Sequence, residues 1–256
     1  MGQRFEGKVA AITGGGAGIG RRYAHRLAQE GAQVVIADLD TAAAKKVVGE
    51  LEEIGTGGMA FTMNVTDTEA ATRMAADTVD SFGRLDILVN NAGIHLEHAQ
   101  LPFTIEAIPD WRDVLDVNVI GALICATACR EAMAASGGGS IINQSSMAAY
   151  GGGNAYAVSK LGLNALTVGL AAEFGPDNIR VNGIAPGLVD SEAALEWMNH
   201  PERKGIEDAL VGGQVVKRLG SMDDLANMAL FLCSDDASFV TGQTILVDGG
   251  FTKKAY

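Results

Sequence analysis

Tyr156 and Lys160 stand four apart in Ala155-Tyr-Ala-Val-Ser-Lys160, a spacing that puts both side chains on one face of a helix. A phenol titrates near ~10, too high to serve as a base at neutral pH. An ammonium held about 4 Å away contributes roughly 4 kcal/mol at an effective dielectric of ~20, or about three pKa units. The pair therefore predicts a Tyr156 phenol that titrates near ~7, where proton exchange with a substrate hydroxyl is efficient. Tyr and Lys are both common on helices, so the rest of the chain decides what the pair means.

A second chemical feature is Thr13-Gly-Gly-Gly-Ala-Gly-Ile-Gly20, which follows the strand-like run Val9-Ala-Ala-Ile-Thr13 and opens a stretch with Ile19, Tyr23 and Leu27 on one face. Glycines there let the backbone take positive φ and let a diphosphate approach the main chain. The helix start behind them offers free N–H groups and the positive end of a dipole. The spacing is Gly14, Gly18, Gly20 rather than a literal G-x-G-x-x-G. Asp38 ends the next strand-like run, 18 residues beyond Gly20. A carboxylate there accepts from both ribose hydroxyls of an adenosine and repels a 2′-phosphate; the alternative is a helix cap before Thr41. Leu39 and Asp40 bring no cation and neither does Ala17, so the features point to NAD rather than NADP.

Elements that could position these groups alternate from end to end. Strands are expected at Gln33–Asp38, Met59–Asn64, Asp86–Asn90, Ser140–Ser145, Ile179–Ile184 and Thr244–Val247, besides the first. Helices are expected from about Thr41, after Asp67, near Trp111–Ala135, around Ala155–Phe174 and near Asp223–Leu232. Strand–helix alternation implies parallel pairing with right-handed crossovers. The expected architecture is α/β, a single doubly wound Rossmann-type domain over residues 1–256 with a mostly or wholly parallel seven-stranded sheet and helices on both faces. No linker or repeat divides the chain. Residues from about 191 to 213, with Trp197, Met198 and His200, read as a helical lid over the cleft.

Bulk properties narrow the field. The composition, 48% hydrophobic and 20% charged, suits a globular core. The net charge of −12 disfavours nucleic acid and anionic membranes as partners. No stretch is expected to offer the ~20 apolar residues that span a bilayer, and the first residues lack a signal peptide's apolar core. Three cysteines and no leader point to the cytoplasm, with Cys125 and Cys129 packed in the core. Val114–Ala135 and Ala155–Ala172 are apolar or small nearly all round, so a second subunit is expected to cover them, giving a homodimer or homotetramer.

Taken together, Thr13-Gly-x-x-x-Gly-x-Gly20, Asn90-Asn-Ala-Gly93, Asn118, Ser145-Ser146, Tyr156-x-x-x-Lys160 and Pro186-Gly187 resemble the classical short-chain dehydrogenase/reductase family over nearly the whole chain. The resemblance implies a catalytic tetrad of Asn118, Ser146, Tyr156 and Lys160. Tyr156 would be the general acid/base, Ser146 would bond the reacting oxygen, Lys160 would hold the nicotinamide ribose, and Asn118 would hold a water that relays the proton. It also implies that Gly14, Gly18, Ile19, Gly20, Asp38 and Leu39 bind the adenosine and diphosphate, and that Asn64 and Val65 meet the adenine. Asn91, Ala92 and Gly93 would line the central ribose, and Pro186, Gly187, Val189 and Ser191 the nicotinamide carboxamide.

The chain departs from the family pattern in three places: Asn64 replaces the usual Asp, Ser191 the usual Thr, and the Ser146–Tyr156 gap is three residues short, with Gly151-Gly-Gly153 expected to absorb the deletion. Ser145 is a rival for the serine role, because alternation along the strand could favour either residue. His95 and Tyr150 are expected to border the substrate, with nothing near Tyr150 to tune it. His95, Glu97 and His98 are too few for a metal site. The expected activity is NAD-dependent interconversion of a small-molecule secondary alcohol and its ketone. The alternatives are an NADPH-dependent carbonyl reductase of the 3-oxoacyl-carrier-protein reductase type and, more distantly, a non-catalytic dinucleotide sensor.

Overall fold

The computed structural model describes residues 4–95, 101–198, 200, 203 and 205–253. Strand β1 (Val9–Thr13) is buried along its whole length, as expected for a run without polar alternation, which only a sheet covered on both faces can house. There follow α1 (Gly18–Gln29), β2 (Gln33–Asp38), α2 (Thr41–Ile54), β3 (Gly58–Thr62), α3 (Thr68–Phe82) and β4 (Ile87–Asn90). Next come α4 (Ile108–Leu115), α5 (Gly121–Ala135), β5 (Gly139–Gln144), α6 (Ala155–Phe174) and β6 (Ile179–Pro186). Last are α7 (Glu192–Met198), α8 (Ile206–Gly213), α9 (Met222–Cys233) and β7 (Thr244–Val247).

The strands lie in the order β3-β2-β1-β4-β5-β6-β7, and each neighbouring pair is parallel. The chain moves outward from β1 to β3 and then returns to the other side of β1 with β4. That reversal opens a crevice beyond the carboxyl ends of β1 and β4, where this kind of sheet binds ligands. One face of the sheet packs on Tyr23 and Leu27 of α1, Val47 and Leu51 of α2, and Leu225 and Leu230 of α9. The other packs on Met74 of α3, Cys125, Cys129 and Met133 of α5, and Leu170 and Phe174 of α6.

Local signals place the helix starts. Asp40 caps α2 by accepting from Ala42 and Ala43 N–H, and Asp67 caps α3 through Glu69 and Ala70 N–H. Several expected bounds shift, among them the fifth strand, which runs Gly139–Gln144, and the sixth, which extends to Pro186. The third strand ends at Thr62, so Asn64 lies beyond it. The long helix expected from Trp111 begins at Ile108, and its residues Asp116–Ile120 wind as a π-helix between α4 and α5.

The expectation that no stretch could span a bilayer fails on length and composition, since the helical runs Ile105–Ala135 and Ala155–Asp177 are long and apolar enough. Both lie against the sheet and supply its core, which is what their apolarity serves here. Burial pushes the Cys125 thiol up to about 12. Ile120, Val158, Leu161 and Val168 on these runs remain exposed.

Candidate active site

The turn after β1 is shaped by close approach. Gly14 has φ +62° and Gly18 φ +51°; a Cβ on Gly14 would sit 2.9 Å from Ala92 Cα, and one on Gly20 would run into the Gly14 carbonyl. The Asn91 amide donates to the Thr13 and Gly14 carbonyls at 3.1 and 2.8 Å, while Thr13 Oγ1 accepts from Asn91 and Ala92 N–H. Asn91 and Ala92 therefore clamp the turn to the end of β4. Ala17 precedes α1 without a side-chain cap, and the first turn carries no acidic residue. The N–H groups there suit an anion such as a diphosphate.

Asp38 closes over the turn from β2. Its Oδ2 accepts from Gly16 N–H at 2.9 Å and its Oδ1 from Asp40 N–H at 3.0 Å. The cap before Thr41 is Asp40, so the alternative reading of Asp38 as that cap is set aside. Leu39 beside it is 71% exposed, an apolar surface at the rim. Asn64 is exposed and its Oδ1 accepts from Thr66 N–H; Val65 is buried, and a Cβ on Gly121 would meet its side chain at 2.7 Å.

At the carboxyl end of β5 the two serines part. Ser145 is buried, with its hydroxyl 2.5 Å from Asn164 Oδ1 and 3.4 Å from the Lys160 carbonyl. Ser146 caps a short 3-10 turn, Met147–Tyr150, through Ala148 N–H, and its hydroxyl bonds the Tyr156 phenol. Gly152 and Gly153 then turn at φ +69° and +109°, and Asn154 caps α6 at Ala157 N–H. These glycines carry the shortened segment from Ser146 to Tyr156 in positive-φ conformations closed to most side chains.

Lys160 is 4% exposed and donates from Nζ to the Gln144 carbonyl at 2.7 Å. The ammonium lies 5.4 Å from the Tyr156 ring centroid. The expected depression of the Tyr156 phenol is not found: burial raises it, and only the Ser146 hydrogen bond works the other way. Lys160 is itself lowered to about 8 by burial. Two charges near a surface would attract with little desolvation cost; in the interior, desolvation penalises both charged forms before they attract one another. Around the phenol stand Ile94, Leu101, Trp111, Val114 and Ala155, an apolar cluster.

Asn118 lies in the π-turn with its amide fully engaged. Oδ1 accepts from Ile94 N–H at 2.7 Å, and Nδ2 donates to the Ile94 carbonyl and Ser159 Oγ. A Cβ on Gly93 would fall 2.9 Å from Asn118 Oδ1 and 3.5 Å from Lys160 Nζ, so Gly93, Asn118 and Lys160 share one small space. The π-winding offsets Asn118 from a regular helical position, a distortion frequent at functional sites.

Pro186 ends β6, and Gly187 packs so tightly on the residue after β7 that a Cβ would lie 2.7 Å from Asp248 Cα. Val189 bridges Gly220, and buried Ser191 accepts from Ala194 N–H at the start of α7. The stretch expected as a lid is helical in α7 and α8. Arg203 stacks 4.6 Å from the Trp197 ring centroid and donates to the Trp197 carbonyl. Tyr150 is raised first by burial and then by Asp248, which corrects the expectation that nothing tunes it. His95 is exposed; Glu97 and His98 lie outside the described residues. Sequence reading passed over Thr13, Gln144 and Ser159; Thr13 opens the glycine motif, whereas the other two carry no local signal.

Similar proteins agree with this frame. A family model described as enoyl-(acyl carrier protein) reductase matches residues 14–252. A probable short-chain type dehydrogenase/reductase of Bradyrhizobium diazoefficiens is 37% identical over 254 residues, 96% of this chain and 88% of its own length. The 7alpha-hydroxysteroid dehydrogenase of Escherichia coli K12 is 38% identical over 250 residues, 96% of this chain and 95% of its own. A solved 7 alpha-hydroxysteroid dehydrogenase, complexed with NADH and 7-oxo glycochenodeoxycholic acid, superposes with a TM-score of 0.90 at 36% identity, covering 99% of this chain and 98% of the other. The glycine turn at the crevice, the serine–tyrosine contact beside a buried lysine and these likenesses meet in one statement: the chain is an oxidoreductase and belongs to the classical short-chain dehydrogenase/reductase family.

Proposed function

We propose that the protein interconverts a secondary alcohol and a ketone with NAD, using Tyr156 as general acid/base. The observation that carries this reading is the Ser146 hydroxyl bonded to the Tyr156 phenol, with Lys160 behind it, at the mouth of the crevice. The solved relative holding NADH and an oxo-steroid supports the same chemistry. The glycine turn and Asp38 would hold the adenosine and diphosphate, with Leu39, Asn64 and Val65 at that end. Gly93, Lys160, Pro186, Gly187, Val189 and Ser191 would hold the nicotinamide half. When bound, the dinucleotide supplies or accepts the hydride.

The protein's own part is protonic and positional. Ser146 orients the substrate oxygen, and Tyr156 gives that oxygen a proton in reduction or removes one in oxidation. Lys160, as ammonium, stabilises the phenolate each time it forms. Asn118 is a positioning residue that orders the loop carrying Gly93. Ile94, Leu101 and Trp111 make that side of the site apolar, suiting a hydrophobic alcohol. The direct experiment is a panel of secondary alcohols with NAD, following absorbance of the reduced cofactor; a panel without any turnover sinks the reading.

Two further outcomes are expected. A phenol raised by burial keeps its proton at neutral pH, which serves reduction, whereas oxidation needs the phenolate. Oxidation should therefore rise with pH until Lys160, whose ammonium steadies that phenolate, deprotonates at about 8. Reduction should fall as pH climbs through about 8, where Lys160 loses the charge that steadies the phenolate. Rate profiles in both directions check this, and parallel slopes below about pH 8 would contradict it. Ser146→Ala should lower kcat about a hundredfold, in line with loss of one preorganised donor, while Ser145→Ala should mainly lower the melting temperature. The exposed Ile120, Val158, Leu161 and Val168 support assembly into a homodimer or homotetramer, measurable by sedimentation.

A further inference from the structure

Gln144 ends β5, one residue before Ser145. Side chains alternate along a strand, so Gln144 shares the face of Ile142, which packs with α1 and α9. There the Tyr23 hydroxyl donates to Gln144 Oε1 at 2.7 Å, across 121 residues of sequence. Tyr23 is 1% exposed and burial raises its phenol far beyond the usual range, so it stays protonated and needs an acceptor. The amide orientation follows. Turned over, Gln144 would present N–H groups to that hydroxyl and strand a buried O–H proton. Nε2 is therefore the end directed away from Tyr23, and it is not among the fully buried polar atoms left without a partner. Gln144 is 6% exposed in total; an apolar residue would fill such a position at less desolvation cost.

Its place in the sheet suggests what the amide meets. Tyr23 lies one helical turn beyond Ile19 of the glycine motif, and the Gln144 carbonyl receives Lys160 Nζ. Asp38 is on β2 and Gln144 on β5, three strand intervals apart in the order β2-β1-β4-β5, or about 14 Å. A dinucleotide with its adenosine at Asp38 and its diphosphate at the β1 turn has its nicotinamide half over β5. We propose that the Gln144 amide donates from Nε2 to an oxygen of the nicotinamide half of the cofactor, held in that orientation by Tyr23. This rests on the reading that the crevice takes a nicotinamide dinucleotide.

The test is calorimetric titration of wild type, Gln144→Leu, Gln144→Glu and Tyr23→Phe with NADH and, separately, with ADP. Gln144→Leu should bind NADH about tenfold more weakly, the value of one hydrogen bond, with ADP affinity within about twofold of wild type. Gln144→Glu keeps the acceptor for Tyr23 but loses the donor, so it should also weaken NADH binding, with its melting temperature measured alongside to separate the cost of a buried carboxyl. Tyr23→Phe frees the amide to turn and should give a smaller loss, about threefold. Unchanged NADH affinity in the Leu and Glu variants would overturn the proposal, as would an equal loss for NADH and ADP. A wild type that binds neither ligand would instead overturn the dinucleotide reading beneath it.

Discussion

Tyr156→Phe should lose about three orders of magnitude in kcat, the scale of general acid–base catalysis, while still binding NADH. The variant removes one oxygen and leaves the ring, so the apolar cluster of Ile94, Leu101, Trp111 and Val114 keeps its partner. The Lys160 bond to the Gln144 carbonyl does not involve the phenol and survives. What disappears is the group that bonds Ser146 and exchanges a proton with the substrate. Stopped-flow turnover beside a fluorescence titration of NADH separates the two effects. A variant that keeps a tenth of wild-type kcat would mean that another group, with Tyr150 the first to examine, moves the proton.

The second large effect concerns the choice of cofactor. Wild type should prefer NADH over NADPH by about a thousandfold, because a carboxylate about 4 Å from one phosphate charge costs roughly 4 kcal/mol at an effective dielectric of ~20. Asp38→Ala combined with Leu39→Arg should remove that repulsion and supply a cation at an exposed rim position. The double variant should then bind NADPH at least as well as NADH. Asp38 also accepts from Gly16 N–H, so part of the NADH affinity should fall through loosening of the turn. A wild type that prefers NADPH would show that Asp38 serves the turn alone, and would favour a reductase of the 3-oxoacyl type.

Much of this protein is encoded in short stretches of chain. Apolar runs bounded by glycines made the strands readable, and Asp67 and the segment from Ala155 to Phe174 marked helices that the structure reproduces. Such features are settled by propensity, capping and burial within one or two turns. The wholly parallel order follows from the alternation, because parallel neighbours require a crossover between them.

Other features depend on groups far apart in sequence. Which Asp caps α2, which serine meets the phenol, and the π-winding at Asn118 are decided by neighbours that only folding supplies. Tyr156 shows the difference most clearly. Spacing alone put an ammonium next to a phenol and suggested a lowered pKa. The folded chain buries both groups and raises the phenol, since desolvation depends on everything that surrounds a charge. Sequence thus determined the scaffold and the identity of the reactive groups. Tertiary structure decided their protonation and their partners, because both are sums over contacts that no local window contains.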